Sequence, residues 1–350
     1  MRDVAIVAYA ESQRELPVGQ TETLMLLPVV AEALERSGVD RKDIGFTCSG
    51  SCDYLTGGVF TFVQTLEAAG AWPPISESHV EMDGAWALWE AWVRLQEGDV
   101  DTALVYSSAK PAAIDHDQVL ALQLDPYYLS PLEPERAAFA ALQAQAYMAR
   151  TERTEKDLAE IAVRSRRDGK ANPFAEVSGD FDAAALLAEP YVASPLRAHD
   201  CPPTNFGAAA MVLVAGDLAK EVCQRPAWIR GIDHRVDPHY PGVRDLSRVP
   251  SAELAGRKAG VGAAPIEAAE LCALYTHEEL MLREALGLGD EVIINPSGGP
   301  LCLNAPMVTG LTRIGEAFRQ INEFGKGRTL GHASAGPCLQ QNLVCVLEAE

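Results

Sequence analysis

The alternation of strands and helices constrains the fold of this chain more than any other feature. Its clearest unit runs from a short strand at Ser78–Glu81 through a helix at Gly84–Glu97 to a strand at Thr102–Ser107. The helix is apolar around much of its circumference, which predicts that it is buried. A strand, a helix and a strand in this order predict two parallel strands joined by a right-handed crossover.

The same alternation occurs in two parts of the 350-residue chain. Further strands in the first part are predicted at Val4–Ala8, Asp43–Ser49 and Ala208–Val214. Strands in the second part are predicted at Ala227–Ile232, Ile266–Leu271, Glu291–Ile294 and Leu343–Leu347. Between about residues 111 and 195, two long polar helices alternate with loops. We therefore predict an α/β fold of two similar halves, residues 1–222 and 223–350, with the insertion in the first half.

Composition excludes several classes of function. The net charge of −20 opposes nucleic-acid binding, and the sequence has no basic stripe. The absence of an 18-residue apolar run predicts that no helix spans a membrane. The start of the chain resembles a strand more than a signal peptide, so we expect a cytoplasmic protein with reduced thiols. The eight cysteines form no pattern typical of zinc ligands, and we expect no metal site.

Several segments follow one another in the order of a known family. The stretch from Val4 to Gln13, the segment Gly98–Val105 and the motif Asn-Pro-Ser-Gly-Gly at residues 295–299 carry this similarity. In these segments the chain resembles the thiolase superfamily, especially the sterol carrier protein-x and lipid-transfer-type thiolases. The resemblance implies a layered thiolase-like fold of two similar βαβαβ halves, with helices between and outside two sheets. It also implies an obligate dimer and an acyl-CoA site beneath the inserted loop domain.

The four catalytic positions of the thiolase family have changed in this chain. The position of the nucleophilic cysteine holds Glu81, and Cys272 replaces the histidine of the Glu-x-His-Asp type motif. Ala305 takes the place of the Gly-His-Pro histidine. The position of the proton-shuttling cysteine, expected on a glycine-rich loop, holds Gly331 with His332 beside it. Acyl transfer through a cysteine acyl-enzyme needs these groups, so the sequence argues against thiolase chemistry.

Each candidate catalytic residue has a structural alternative. Asp83 can cap the following helix, or it can serve with Glu81 as a base or as a ligand for a substrate hydroxyl. Cys272 is either a small buried hydrophobe or a functional thiol. His332 suits general acid/base catalysis near neutral pH, but it can equally be a packed histidine. Asn304 can donate to a thioester oxygen or satisfy its own turn.

The substrate-binding candidates begin with a cationic cluster. Arg164, Arg166 and Arg167 stand where the resemblance implies the loop over the CoA site, and arginine pairs well with phosphate. The alternative is a solvated helix end. The other candidate contacts are Gly298, Gly299 and Tyr275.

Two functions of different class follow from the resemblance. The first is a carbon–carbon lyase, a retro-aldolase acting on a β-hydroxyacyl-CoA of lipid or steroid side-chain degradation. The thioester would be its substrate, with no separate cofactor, and a small zinc-ribbon/OB-fold acyl-CoA-binding protein its partner. The second is a non-catalytic subunit that pairs with another thiolase-like chain. An acyl-CoA acyltransferase (a true thiolase) ranks only third among the candidate functions, because all four catalytic positions of that reaction have changed.

Overall fold

The computed structural model describes residues 2–12, 21–110 and 115–350. Gln13 and the predicted start of the insertion at residues 111–114 lie outside these ranges. The first elements of the chain alternate as the sequence predicts. They are β1 (Val4–Ser12), α1 (Glu22–Ser37), β2 (Phe46–Gly50), α2 (Asp53–Thr56), α3 (Phe62–Ala69), β3 (Glu77–Val80), α4 (Gly84–Glu97) and β4 (Thr102–Ala109).

The insertion is mainly helical. Its elements are α5 (His116–Gln123), α6 (Arg136–Thr151), α7 (Glu155–Asp168), α8 (Ala183–Leu187) and the small ribbon β5 (Tyr191–Ala193) and β6 (Leu196–Arg197). The polar helix α7 begins with a capping box formed by Thr154 and Asp157, which satisfies two backbone N–H groups at its start. The chain then returns to the main sheet.

The second half repeats the alternation of the first. The returning strand β7 (Gly207–Ala215) and the short helix α9 (Leu218–Val222) precede it. Its elements are β8 (Ala227–Val236), α10 (Pro250–Ala259), β9 (Ala268–Glu270), α11 (Thr276–Leu286), β10 (Ile293–Ile294), α12 (Thr309–Asn322), β11 (Arg328–Ala335) and β12 (Gln341–Glu348).

The main sheet shows how the halves are related. Within the described residues it has ten strands in the order β10-β9-β11-β12-β8-β1-β7-β4-β2-β3. From β1 outwards, β7 and then β4 are antiparallel to their inner neighbours, and β2 and β3 are added in parallel. From β8 outwards, β12, β11, β9 and β10 repeat that pattern. The fold is therefore α/β with two similar halves, as predicted, while the boundary at residue 222 stays a prediction.

The two half-sheets meet at a short seam. β1 and β8 pair through Ala5 with Trp228 and Ile6 with Ala227, and this pairing joins the two half-sheets into one continuous sheet. Helices α4 and α12 pack against each other in the same core cluster, which includes Leu88 and Leu311. Both helices begin close to the cavity described below.

A glycine permits the close contact where α4 begins. A Cβ atom added at Gly84 would lie 2.7 Å from the Ser107 Cβ and 2.9 Å from the Leu311 Cδ2. Those distances are shorter than packed carbon atoms tolerate. The sequence therefore brings the ends of β4, α4 and α12 together through a residue without a side chain.

The segment around His332 differs from the prediction. The sequence suggests a glycine-rich loop at residues 329–338, but residues 328–335 form β11, an interior strand between β9 and β12. A Cβ atom added at Gly331 would lie 2.7 Å from the Ile314 Cα. The small residues of this segment therefore allow α12 to pack closely on a strand, and the prediction of a loop was wrong.

Among the residues described, none of the helices combines the length and apolar character needed to cross a bilayer. Nor do histidine, cysteine, aspartate and glutamate side chains there form a group of three suited to holding a metal ion.

Candidate functional site

A cavity of about 390 Å³ lies where both halves and the insertion meet. Glu81 and Asp83 line it from the first half, and Phe139 lines it from α6. Cys272 and Tyr275 line it from the segment between β9 and α11. The surface is more apolar than polar, which suits a ligand with an apolar body and few polar contacts. The structure thus brings together five predicted site residues: Glu81, Asp83, Cys272, Tyr275 and Asn304.

Asp83 is a helix cap shared by two helices. Its Oδ1 accepts from the backbone N–H groups of Ala85 at 2.8 Å and Leu311 at 3.0 Å, and its Oδ2 accepts from Gly310 at 2.9 Å. Burial raises the pKa of Asp83, while the three N–H groups lower it. These contacts match the capping alternative and use both oxygens of the carboxyl group.

Glu81 lies at the cavity with half of its side chain exposed. Its Oε1 accepts from the Asp53 N–H at 2.6 Å, at the start of α2. Its Oε2 lies 3.4 Å from the Nε2 of His79. One oxygen is therefore used to fix the start of a short helix, and the other faces a histidine. A proton-carrying role for Glu81 stays a proposal.

Cys272 and His332 form a buried pair. The Cys272 N–H donates to the His332 Nδ1 at 3.3 Å, and the His332 Nε2 lies 2.9 Å from the Asn342 Oδ1. Burial raises the pKa of the Cys272 thiol to about 11 and lowers that of His332 to about 4. His332 is fully buried and does not line the cavity, so its contacts favour positioning the backbone of Cys272 over exchanging protons with a ligand.

The buried histidine should make the protein less stable in acid. Because the pKa of His332 is about 4 in the fold and about 6.5 unperturbed, the unfolded chain binds its proton first as the pH falls. Between pH 6.5 and 4 the wild type should lose up to about 3 kcal/mol of unfolding free energy relative to His332→Gln. Urea denaturation of both proteins at several pH values measures this difference. Parallel stability profiles would contradict the expectation.

Asn304 and Tyr275 line the cavity from two loops. The Asn304 Nδ2 donates to the Pro203 carbonyl at 3.1 Å, and its Oδ1 accepts from the Thr309 hydroxyl at 2.9 Å. An amide nitrogen has two hydrogens, so one donor of Asn304 is left for a ligand. Burial and the nearby Glu278 raise the pKa of Tyr275, which keeps its hydroxyl protonated at neutral pH.

The predicted cationic cluster lies away from the cavity wall. Arg164 pairs with the buried carboxylate of Glu279, so its charge is largely neutralised inside the protein. The guanidinium of Arg166 lies 4.6 Å from the centre of the Phe181 ring, and Arg167 pairs with Asp168. None of the three arginines lines the cavity. Their contact with CoA phosphates outside it stays a proposal.

The two predicted glycines serve close packing at the end of α7. A Cβ atom added at Gly298 would lie 2.7 Å from the Gly169 Cα, and one at Gly299 would lie 2.7 Å from the Asn295 Nδ2. Gly298 also accepts a hydrogen bond from the Ser165 hydroxyl through its carbonyl. Neither Gly298 nor Gly299 lines the cavity.

Glu278 also lines the cavity, although the sequence did not predict it as a site residue. It is the third residue of α11, is 4% exposed and accepts from the N–H groups of Leu274 and Tyr275. A glutamate three residues into a helix is typical of a capping box, which gives no sign of a ligand. The sequence indicated a role for Glu278 only through its position directly after the segment that holds Cys272.

The chain has a thiolase-like fold. No family model matches the chain. The benzoylsuccinyl-CoA thiolase subunit BbsB of Thauera aromatica is 26% identical over 233 residues, which cover 58% of this chain and 60% of that protein. Sterol carrier protein 2 of Gallus gallus is 25% identical over 258 residues, covering 65% of this chain and 46% of that protein.

A lyase is also among the relatives. The 17-hydroxy-3-oxo-4-pregnene-20-carboxyl-CoA lyase of Mycobacterium tuberculosis is 27% identical over 212 residues, covering 53% of this chain and 54% of that enzyme. The chain thus spans 60% of the Thauera subunit and about half of the other two relatives. These similarities confirm the predicted resemblance to sterol carrier protein and lyase relatives.

Solved structures share the fold over almost the whole chain. The Ltp2-ChsH2(DUF35) aldolase has a TM-score of 0.81 at 20% identity and covers 99% of this chain and 98% of its own. The Bacillus anthracis acetyl-CoA acetyltransferase has a TM-score of 0.80 at 17% identity, with coverage of 100% and 99%. A monomeric SCP2-thiolase-like protein of Mycobacterium smegmatis has a TM-score of 0.79 at 16% identity, with coverage of 99% and 78%.

Proposed function

We propose that this protein is a carbon–carbon lyase of the retro-aldol type, acting on a β-hydroxyacyl-CoA of lipid or steroid side-chain degradation. The observation that carries the proposal is the largely apolar cavity, in which Glu278 and Tyr275 stand beside a helix start that has no cysteine. The name of the Mycobacterium tuberculosis relative combines a hydroxyl group, a CoA thioester and a lyase reaction. One structural neighbour is named as an aldolase. Both names support this class of reaction.

The chemistry requires few groups. A base takes the proton of the β-hydroxyl group, the Cα–Cβ bond breaks, and the electron pair passes into the thioester as an enolate. Hydrogen-bond donors near the thioester oxygen stabilise that enolate. The free donor of Asn304 and the hydroxyl of Tyr275 are candidates for this task. The CoA thioester is the substrate, and the proposal includes no separate cofactor.

The decisive experiment follows cleavage of a β-hydroxyacyl-CoA. Substrates with small and with bulky β-substituents are incubated with the protein, alone and with a candidate zinc-ribbon/OB-fold partner protein. We expect a carbonyl product and a shortened acyl-CoA in equal amounts, detected by mass spectrometry. A complete thiolase serves as the control for non-specific loss of thioester. Failure of every substrate, with the partner present, would overturn the proposal.

Thiolase activity should be absent. The cysteines that line the cavity, Cys52, Cys272 and Cys338, have thiol pKa values that burial raises above the ordinary value, so none is a ready nucleophile at neutral pH. Ala305 cannot transfer protons. Incubation with acetoacetyl-CoA and free CoA should therefore release no acetyl-CoA above the buffer blank. An acyl adduct on the protein by intact mass spectrometry would contradict this expectation.

A non-catalytic subunit is the second candidate function. Its support is the Thauera relative, which is named as one subunit of a thiolase. The contacts that occupy Asp83 and His332 fit a chain that has kept the fold but not the reaction. In that case this chain would raise the turnover of a second thiolase-like chain while the isolated chain stays inert. Turnover measured with this chain alone, with a second thiolase-like chain alone and with both together separates the two functions.

The protein should also associate with a second thiolase-like chain, identical or not. Val59, Phe60 and Trp72 are at least 70% exposed, and the Phe60 ring lies 6.5 Å from Phe62, which stacks on His79 of the edge strand β3. Exposed apolar groups beside a sheet edge are typical of an interface. Light scattering should show a species larger than one chain, and Phe60→Asp should reduce it. A monomer at micromolar concentration, as in the Mycobacterium smegmatis neighbour, would contradict this.

The cysteines bear on the cellular location. All eight fall within the described residues and are free thiols. Free thiols favour a reducing compartment, and the proposal therefore places the protein in the cytoplasm.

A further inference from the structure

We propose that Glu278 carries the proton in the retro-aldol reaction, as base for the β-hydroxyl group and then as acid for the α-carbon. This inference rests on the lyase function proposed above. It assigns the acid/base role to Glu278 in place of His332 and Cys272, the residues that the sequence suggested for that role.

The position of Glu278 combines a fixed carboxylate with a free oxygen. Its Oε2 accepts from the Leu274 N–H at 2.7 Å and the Tyr275 N–H at 3.2 Å. Its Oε1 makes no hydrogen bond with any residue that the structure describes, and the side chain lines the cavity. A group held by one oxygen can present the other to a ligand in a defined direction.

The neighbouring glutamate shows the opposite arrangement. Glu279 is 1% exposed, pairs with Arg164 and accepts from the Asn295 Nδ2 at 3.3 Å. Glu279 is therefore engaged in a buried ion pair, and it does not line the cavity. The two successive carboxyl groups thus have different environments, and of the two only Glu278 faces the cavity.

Burial raises the pKa of Glu278 to about 7, although two backbone N–H groups oppose the increase. The titratable groups that face it, Tyr275 and Cys338, are neutral at pH 7 because burial raises their pKa values as well. The remaining titratable groups on the cavity wall are Glu81, Asp83, His116, Arg136, His239, Cys52 and Cys272. A carboxyl group that exchanges protons near neutral pH suits a step that first takes a proton and then returns it.

The proton balance of the reaction closes within the cavity. The Glu278 carboxylate takes the β-hydroxyl proton, the oxygen forms a carbonyl with Cβ, and the Cα–Cβ bond breaks. The electron pair of that bond becomes the enolate of the thioester. Glu278 then returns the proton to Cα, which gives a shortened acyl-CoA and regenerates the carboxylate. No oxidant, reductant or second substrate is required.

The test compares the wild type with Glu278→Gln. Glutamine keeps an oxygen for the two N–H groups at the start of α11, so the fold should persist. Turnover of the cleaved β-hydroxyacyl-CoA should fall by about 10²–10⁴-fold. Glu284→Gln is the matched control, since it makes the same change on the exposed side of α11 and should keep full turnover. In the wild type, kcat/KM should rise with pH through about 7, because the base form is active, and the variant should lose that dependence.

A second measurement detects the titration without substrate. The fold favours the protonated form of Glu278, because its pKa is about 7 there and about 4.3 in an unfolded chain. The thermal midpoint of the wild type should therefore fall relative to Glu278→Gln as the pH rises from about 4.3 to 7. Equal turnover of wild type and variant would overturn the role of Glu278 and leave the lyase function standing. An inert wild type would overturn both proposals.

Discussion

Arg313→Met should lower the free energy of unfolding by about 3–5 kcal/mol, because it removes one partner of a fully buried ion pair. Arg313 and Glu270 are both completely buried, and the Arg313 Nη1 donates to the Glu270 Oε2 at 2.6 Å. Without the guanidinium, Glu270 must keep an uncompensated charge in the core or take up a proton. Urea denaturation followed by circular dichroism measures the loss.

The same pair fixes the loop at residues 295–299. Ser297 donates to Glu270 through its N–H at 3.0 Å and through its hydroxyl at 2.9 Å. Arg313 lies on α12 and Glu270 on β9, so the pair holds this loop between a core helix and the sheet. Removing this pair should therefore destabilise the whole second half, which should unfold in one cooperative transition.

Two control variants make the prediction sharp. Arg153→Met removes the half-exposed partner of Asp157 and should cost no more than about 1 kcal/mol. The double variant Arg313→Met with Glu270→Met replaces both charges by apolar groups and should recover much of the stability. An Arg313→Met loss as small as that of Arg153→Met would show that the buried pair contributes little.

Much of the fold could be predicted because the sequence repeats one local pattern. Apolar helices such as Gly84–Glu97 and buried strands such as Thr102–Ala109 have periodicities that local sequence reveals. The strand Arg328–Ala335 was not predicted, because it is rich in small residues that are also common in loops. Its conformation depends on how closely α12 packs, which is a tertiary property.

The candidate site was less predictable, for a physical reason. The sequence motifs identified Cys272 and Asn304 as candidates, and both residues line the same cavity in the structure. It could not show that the partners of His332 occupy both of its nitrogens, or that Glu279 neutralises Arg164. Nor could it show the burial of Glu278. Such properties arise from contacts between residues distant in the chain.

Asp83→Ala should also lower the free energy of unfolding by about 3–5 kcal/mol, because it leaves three buried N–H groups without a partner. A single cap typically contributes about 1 kcal/mol, but Asp83 caps α4 and reaches the start of α12 as well. Asp83→Asn should lose less, since its amide oxygen can still accept from one helix. Urea denaturation of the wild type, Asp83→Asn and Asp83→Ala measures the order of their unfolding free energies.

Asp182→Ala is the matched control, because Asp182 caps only the short helix α8 through the Ala185 N–H at 3.0 Å. Its loss should stay near 1 kcal/mol. The same proteins separate the two roles considered for Asp83. If Asp83 only joins two helices, Asp83→Asn should keep turnover in proportion to the folded fraction. If turnover falls by about 10²-fold or more while the protein stays folded, the carboxylate takes part in the reaction and the structural interpretation is wrong.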